Sequence, residues 1–270
     1  MCARDSGVPR SVAYGDIWQL VTAMTTLDEI REAHERGDHE LVLRLTDAIL
    51  ATRPGDDAAH EYRARAFLAL GRPEQAEQHA VDAVRLDPDE IRYRELLAQT
   101  LSAEGAHRDA AAEFGRLARN DPRQTAWTVA EAEERLGAAQ PAMGVDAARR
   151  AVRLAPRNGR AQLALSQALA RTGDARGAFQ AASLATELLP GDPAAREALA
   201  DAHWLANEDA AAFAEFRALA DELGGADRDR VERKARTLYR QHAGLLGRLV
   251  AGIGPLFDLA FRRGWLHVDR

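Results

Sequence analysis

One cysteine, Cys2, and one lysine, Lys234, are the only residues of either type in 270. A lone cysteine excludes an internal disulfide and fits a reducing compartment, so the cytoplasm is the expected location. All but one of the 36 basic residues are arginine, a bias that fits a GC-rich genome better than a phosphate-binding role. The net charge of −6 comes without a basic stripe, so a general nucleic-acid binder is not expected. Met1 to Ala23 has no unbroken apolar core before a small-residue cleavage site and does not read as a signal peptide. Gly252-Ile253-Gly254 follows no strand and fails as a phosphate loop. The eight histidines, His34, His39, His60, His79, His107, His203, His242 and His267, show no metal-ligand spacing with one another or with Cys2, so neither metal nor cofactor is expected.

What is present is a period. Pro54, Pro88, Pro122, Pro156 and Pro190 each stand 34 residues after the last, and a fixed period of this size marks a stacked repeat protein. In the copy from Ile91 to Gln124, Leu97, Ala98 and Leu101 share one face of a first helix, which Gly105 ends. Ala110, Phe114 and Leu117 line a second helix, which Pro122 ends. With Pro122 as position 32, copies fall at 23–56, 57–90, 91–124, 125–158, 159–192 and 193–226. Position 15 is Gly37, Gly71, Gly105, Ala139, Gly173 and Asn207, where a left-handed residue ends the first helix; only Ala139 breaks the pattern. Small residues recur at position 8 from the second copy on (Ala64, Ala98, Ala132, Ser166, Ala200), and position 20 is Val42, Ala76, Ala110, Gly144, Ala178 and Ala212, letting paired helices touch. Pro73 and Pro141 at position 17 open second helices, where the missing N–H costs nothing. In the fourth copy Glu131 occupies an expected apolar position, and Val129, Ala132 and Leu136 suggest a first helix slipped by about one residue. The fold expected is all-α, a solenoid superhelix of stacked antiparallel helix pairs with C-terminal capping helices. Residues 1–22 form a weakly ordered extension, 23–226 the repeats and 227–270 a cap and tail. Met24 is an alternative start of translation, and Thr26 with Glu29 has the spacing of a capping box.

Over residues 23–226 this pattern resembles the tetratricopeptide repeat family, whose 34-residue motif carries small residues at positions 8, 20 and 27, an aromatic near 24 and proline at 32. Phe114 and Phe216 supply the aromatic in two copies, while the family's tryptophan at position 4 and tyrosine at 11 are mostly absent. The resemblance implies a non-catalytic interaction module or scaffold, with positions 2, 5, 9 and 12 on a concave wall that binds a peptide or protein segment. The wall candidates are Arg31, His34, Glu61, Arg65, Arg92, Glu95, Gln99, Glu133, Gln167, Asp201 and Trp204. Position 9 runs from Arg31 and Arg65 to Glu133 and Asp201, so the acidic part of a ligand is expected near the first two repeats. Trp204 is expected to stack on an apolar ligand side chain. Relatives that grip chaperone C-termini carry lysine and asparagine where this chain has Leu27, Arg31, Tyr62, Arg92 and Leu96, so that clamp is not expected. An enzyme, or enzyme partner, with a small-molecule site remains an alternative. It would gain from a closed pocket of carboxylates near Trp204 and Asp201.

The tail differs in kind. Residues 227–270 carry a net charge of +5, against −11 for the rest. Asp227 to His242 reads as a cap helix with Val231, Ala235 and Leu238 on its inner side. Beyond it, Leu245, Leu249, Phe257 and Phe261 recur at helical spacing, but Arg248 and Asp258 make a poor transmembrane span. Three destinations stay open for this apolar face. It packs on the solenoid, joins a second chain in an oligomer, or meets lipid, which would make the protein a membrane-recruited adaptor.

Overall fold

The computed structural model describes residues 27–242 and, in the tail, Phe257, Leu259, Ala260, Phe261, Arg263, Trp265 and Leu266. The N-terminal extension, the expected cap at Thr26, the Gly252-Ile253-Gly254 stretch and most of the tail lie outside the described residues. Among the described residues there are helices and no strand. They come in consecutive pairs: α1 (Leu27–Glu35) with α2 (His39–Thr52), α3 (Asp57–Ala69) with α4 (Pro73–Leu86), and α5 (Ile91–Glu104) with α6 (His107–Asn120). Next come α7 (Thr125–Gly137) with α8 (Pro141–Leu154), α9 (Gly159–Thr172) with α10 (Ala175–Leu188), α11 (Pro193–Leu205) with α12 (Asp209–Glu222), and last α13 (Gly225–His242).

The pairs keep the period of the prolines. Every second helix from α2 to α12 spans positions 17 to 30 of its repeat, and each first helix from α3 to α11 begins at position 1. Pro73 and Pro141 stand at the first turns of α4 and α8. The small residues at position 8, Ala64, Ala98, Ala132, Ser166 and Ala200, are fully buried. Where position 8 is serine, its hydroxyl donates to the carbonyl of Ala178 at 2.9 Å, so the buried polar atom is satisfied. At position 20 a Cβ added to Gly144 would lie 3.3 Å from Leu136, which is why this site takes so little volume.

Two expectations about the fourth repeat need correction. α7 is not slipped: it occupies positions 1 to 13, as α3 and α11 do. Glu131 is tolerated on the buried face because Arg150 lies 2.5 Å and Arg135 3.7 Å from its carboxylate. Ala139 departs from the glycine pattern in sequence only, since its φ of 55° is as left-handed as the 75° of Gly37 or the 61° of Asn207. The register imposes the conformation and the alanine bears the strain, about 1–2 kcal/mol.

The chain divides into two compact units, Met1–Glu113 and Phe114–Arg270. In the first, Ile30, Val42, Ile49 and Phe67 form one core, and Leu96, Leu97, Leu101 and Ala110 contribute to another. The second has an alanine-rich interior, with Ala168, Ala178, Ala185 and Ala202 in one cluster, that gives way to aromatics at its C-terminal end. There Phe257 and Phe261 are stacked 5.5 Å apart, and Phe261 meets Phe213 at 5.5 Å while Phe257 meets Tyr239 at 5.8 Å. Phe257, Phe261 and Leu266 are buried with Val231 and Leu238 of α13. The described part of the tail therefore packs on α12 and α13, leaving Leu259 and Trp265 exposed. No helix among the described residues is long and apolar enough to cross a membrane.

Candidate interaction surface

In the first unit the expected basic wall residues each have a carboxylate beside them. Glu61 is buried on α3 and accepts two bonds from Arg65, one turn on, at 2.8 and 3.0 Å; Arg92 stands 3.6 Å away. Arg92 also pairs with Glu90, and Arg31 with Asp28 at 2.7 Å. His34 packs edge-on against Tyr62 at 5.6 Å, and burial first and the Arg65 charge second hold it below its ordinary pKa. Glu95 is half-buried and Gln99 exposed on α5. The basic pair that sequence places here is thus largely neutralised.

The second unit keeps a cavity. Glu133, Gln167 and Asp201, the position 9 residues of three consecutive repeats, line one space of about 560 Å³ formed by α7, α9, α11 and α13. Arg171, Glu197, Arg230 and Lys234 complete its charged lining. Lys234, the lone lysine, holds Asp201 at 2.6 and 2.8 Å and Glu197 at 2.8 Å, while Arg230 reaches Glu197 at 2.9 Å. Burial raises the Glu197 carboxyl, but the hydrogen bonds from Arg230 and Lys234 outweigh it and leave its pKa below the ordinary value. For Asp201 burial prevails over Lys234 and the pKa lies above the ordinary value. Glu133 keeps an exposed surface, yet crowding by the cavity walls raises its pKa, with Arg160 opposing, and no hydrogen bond or ion pair to it is found among the described residues. Trp204 does not line this cavity; its ring packs edge-on against Phe216 at 6.3 Å. Sequence reasoning missed Arg230 and Lys234 because it confined the wall to first helices. Their i, i+4 spacing on the cap helix was the available signal.

Comparison with known proteins bears on this arrangement. Residues 33–100 match the family model for the tetratricopeptide repeat. The chain has the fold of a tetratricopeptide repeat array. Its fold is similar to that of a tetratricopeptide repeat protein from Parabacteroides merdae, with a TM-score of 0.66 at 11% identity over 91% of this chain and 97% of that one. It is also similar to a crystal structure of MamA protein, with a TM-score of 0.57 at 15% identity over 63% of this chain and 92% of that one. MamA from Desulfovibrio magneticus gives 0.55 at 16% identity, covering 61% and 93%. No curated protein matches the chain.

In three of the helix pairs, position 4 of the first helix meets position 23 of the second, 19 residues on. Arg94 donates to Glu113 at 2.9 Å in the third repeat, and Arg196 lies 3.7 Å from Glu215 in the sixth. In the second repeat the same places hold His60 and His79, their Nδ1 atoms 3.0 Å apart. His60 Nε2 faces the Pro54 carbonyl at 3.0 Å, so it carries the proton and Nδ1 offers a lone pair. Arg63 Nε donates to His79 Nε2 at 2.9 Å, so His79 bears its proton on Nδ1 and donates to His60. Burial first and Arg63 second pull the pKa of His79 down to about 4. Asp82, one turn after His79, has its carboxylate 3.9 Å from His60 Nδ1. Linear spacing does not reveal this cluster; the repeat phase does.

Proposed function

We propose that the protein is a non-catalytic interaction module that binds a peptide or protein segment along the position 9 face of its first helices. The observation that carries this is the convergence of Glu133, Gln167 and Asp201 on one cavity, each exactly one period from the next in sequence. Glu133 is exposed at the cavity with no hydrogen bond or ion pair among the described residues, so it is open to a cation, and the segment presents a lysine or arginine side chain to it. Asp201 and Glu197 serve as walls, because Lys234 and Arg230 already engage them. That engagement also argues against a catalytic use of the cavity, since a general acid or base needs a free proton path. The lipid-adaptor reading keeps only Leu259 and Trp265 of the described tail, as Phe257 and Phe261 are buried in protein.

The test places a photocrosslinking amino acid at Gln167 or, on the other helix layer, at exposed Arg149. Capture of one defined segment from the native extract at Gln167, absent at Arg149 and weakened by Glu133→Arg, is the expected result. Equal capture from both positions, or capture indifferent to Glu133→Arg, would overturn the proposal.

A further inference from the structure

Where the third and sixth repeats brace position 4 against position 23 with opposite charges, the second sets two imidazoles against each other and adds a carboxylate at their rim. We propose that His60 Nδ1, His79 Nδ1 and the Asp82 carboxylate form a binding site for a divalent transition-metal ion of the zinc type. Their ligand atoms all lie within 4.8 Å of one another. An ion about 2.0–2.2 Å from each of two nitrogens and one oxygen needs those atoms roughly 3–4 Å apart. The separations of 3.0 Å between the two nitrogens and 3.9 Å from His60 to Asp82 bracket that range.

The surroundings suit the task. His60 Nε2–H donates to the Pro54 carbonyl, the kind of outer bond that fixes a ligating imidazole and leaves its other nitrogen free. Phe67 stacks on His79 with ring planes 7° apart, holding the second ring. His79 and Asp82 stand three residues apart on α4 and His60 on α3, so rigid helices set all three. Among the described residues Asp82 is tied otherwise only to Arg85, whose side chain is largely exposed, and that bond is readily exchanged. Two imidazoles and one carboxylate leave a coordination position for water or a partner's side chain, as open zinc sites do.

One group opposes the ion. Arg63 Nε–H now fixes the His79 proton on Nδ1. On binding, the ion takes the place of that shared proton, which moves to Nε2, and the guanidinium turns away from the ring. Its Nη1 already contacts Asp47, Thr46 Oγ1 and the Leu43 carbonyl, so it has an alternative set of acceptors. Arg63 therefore sets the affinity of the site without being a ligand.

Metal-free full-length protein carrying Cys2→Ser is titrated with Zn²⁺ by calorimetry and with Co²⁺ by visible absorption, with helicity checked by circular dichroism. One ion per chain is expected, with the absorption of a four-coordinate Co²⁺ complex. His79→Gln and Asp82→Asn, both on the half-exposed side, should weaken binding at least tenfold while leaving the helices intact; His60→Ala should do the same. Arg63→Met should tighten binding, since it removes a nearby positive charge and the hydrogen bond that holds the His79 proton on Nδ1. No binding by the folded parent, or binding unchanged in His79→Gln and Asp82→Asn, would overturn the assignment. Unchanged affinity in Arg63→Met would overturn the proposed role of the guanidinium.

Discussion

The two units treat the same wall positions differently. In the first, Arg31, Arg65 and Arg92 each meet a carboxylate, and the left-handed turns at Gly37, Gly71 and Gly105 are relaxed. In the second, Glu133 meets no partner among the described residues, and Ala139, two residues past the end of the same helix, is held at positive φ. Unbalanced charge and backbone strain are costs that folding alone does not require, and they cluster where surfaces are put to use. The lesson is that a charge counted along a repeat position is not a charge offered to a ligand. What decides is whether a neighbour has already claimed it.

The largest effect would come from breaking the frame that both units share. Ala110 and Ala178 are fully buried at position 20, so Ala110→Arg and Ala178→Arg should each cost about 3 kcal/mol or more in chemical denaturation. An unchanged midpoint in either would mean that the units are not built alike. Next, Glu61→Ala removes the buried carboxylate that holds Arg65, and should cost about 1–2 kcal/mol by the same measurement. A neutral result would show that the first unit's charges are less engaged than their distances imply. Ala139→Gly should stabilise by about 1 kcal/mol, because glycine takes a positive φ freely. The same change at Asn207 should give less, since asparagine tolerates this region better than alanine.

The smallest effect sharpens the contrast most. Burial raises the Glu133 pKa above its ordinary 4.5, so at neutral pH the folded state holds an ionised group that it would rather protonate. Stability assignable to this group is present below the unfolded-state value and is lost as pH rises through the folded-state one. Glu133→Gln should therefore stabilise slightly at pH 7, and the gain should vanish below pH 4.5. Thermal melts of the two proteins at both pH values check this. A Gln variant less stable at pH 7 would mean that Glu133 is already engaged.

The helix pairs were legible in the sequence because their signals are local and periodic. Proline at position 32 recurs in the first five copies, and small residues at 8 and 20 recur from the second copy on. The apparent slip of the fourth repeat came from finding Glu131 at an expected apolar position, when a buried carboxylate between Arg135 and Arg150 satisfies the same register. The wall was legible as positions but not as chemistry. Pairing such as Arg65 with Glu61 depends on rotamers, and the contribution of Arg230 and Lys234 depends on how the cap helix lands on α11. Trp204 illustrates a further limit, since an aromatic at a wall position serves equally well against Phe216. The His60 and His79 pair was hidden because two residues 19 apart become neighbours only once the repeat phase is known.

A stack of like helix pairs has no intrinsic length, because the face that receives one pair is regenerated by it. Here the regeneration stops. The side of α12 and α13 that would accept another pair is roofed by Phe257 and Phe261, whose flat rings, locked against Phe213 and Tyr239, offer nothing like the small-residue seam at positions 8 and 20. On this side the described stack is therefore closed by aromatic residues rather than by another seam of small ones. Lengthening the array by duplicating a pair would require carrying that aromatic terminator along with it.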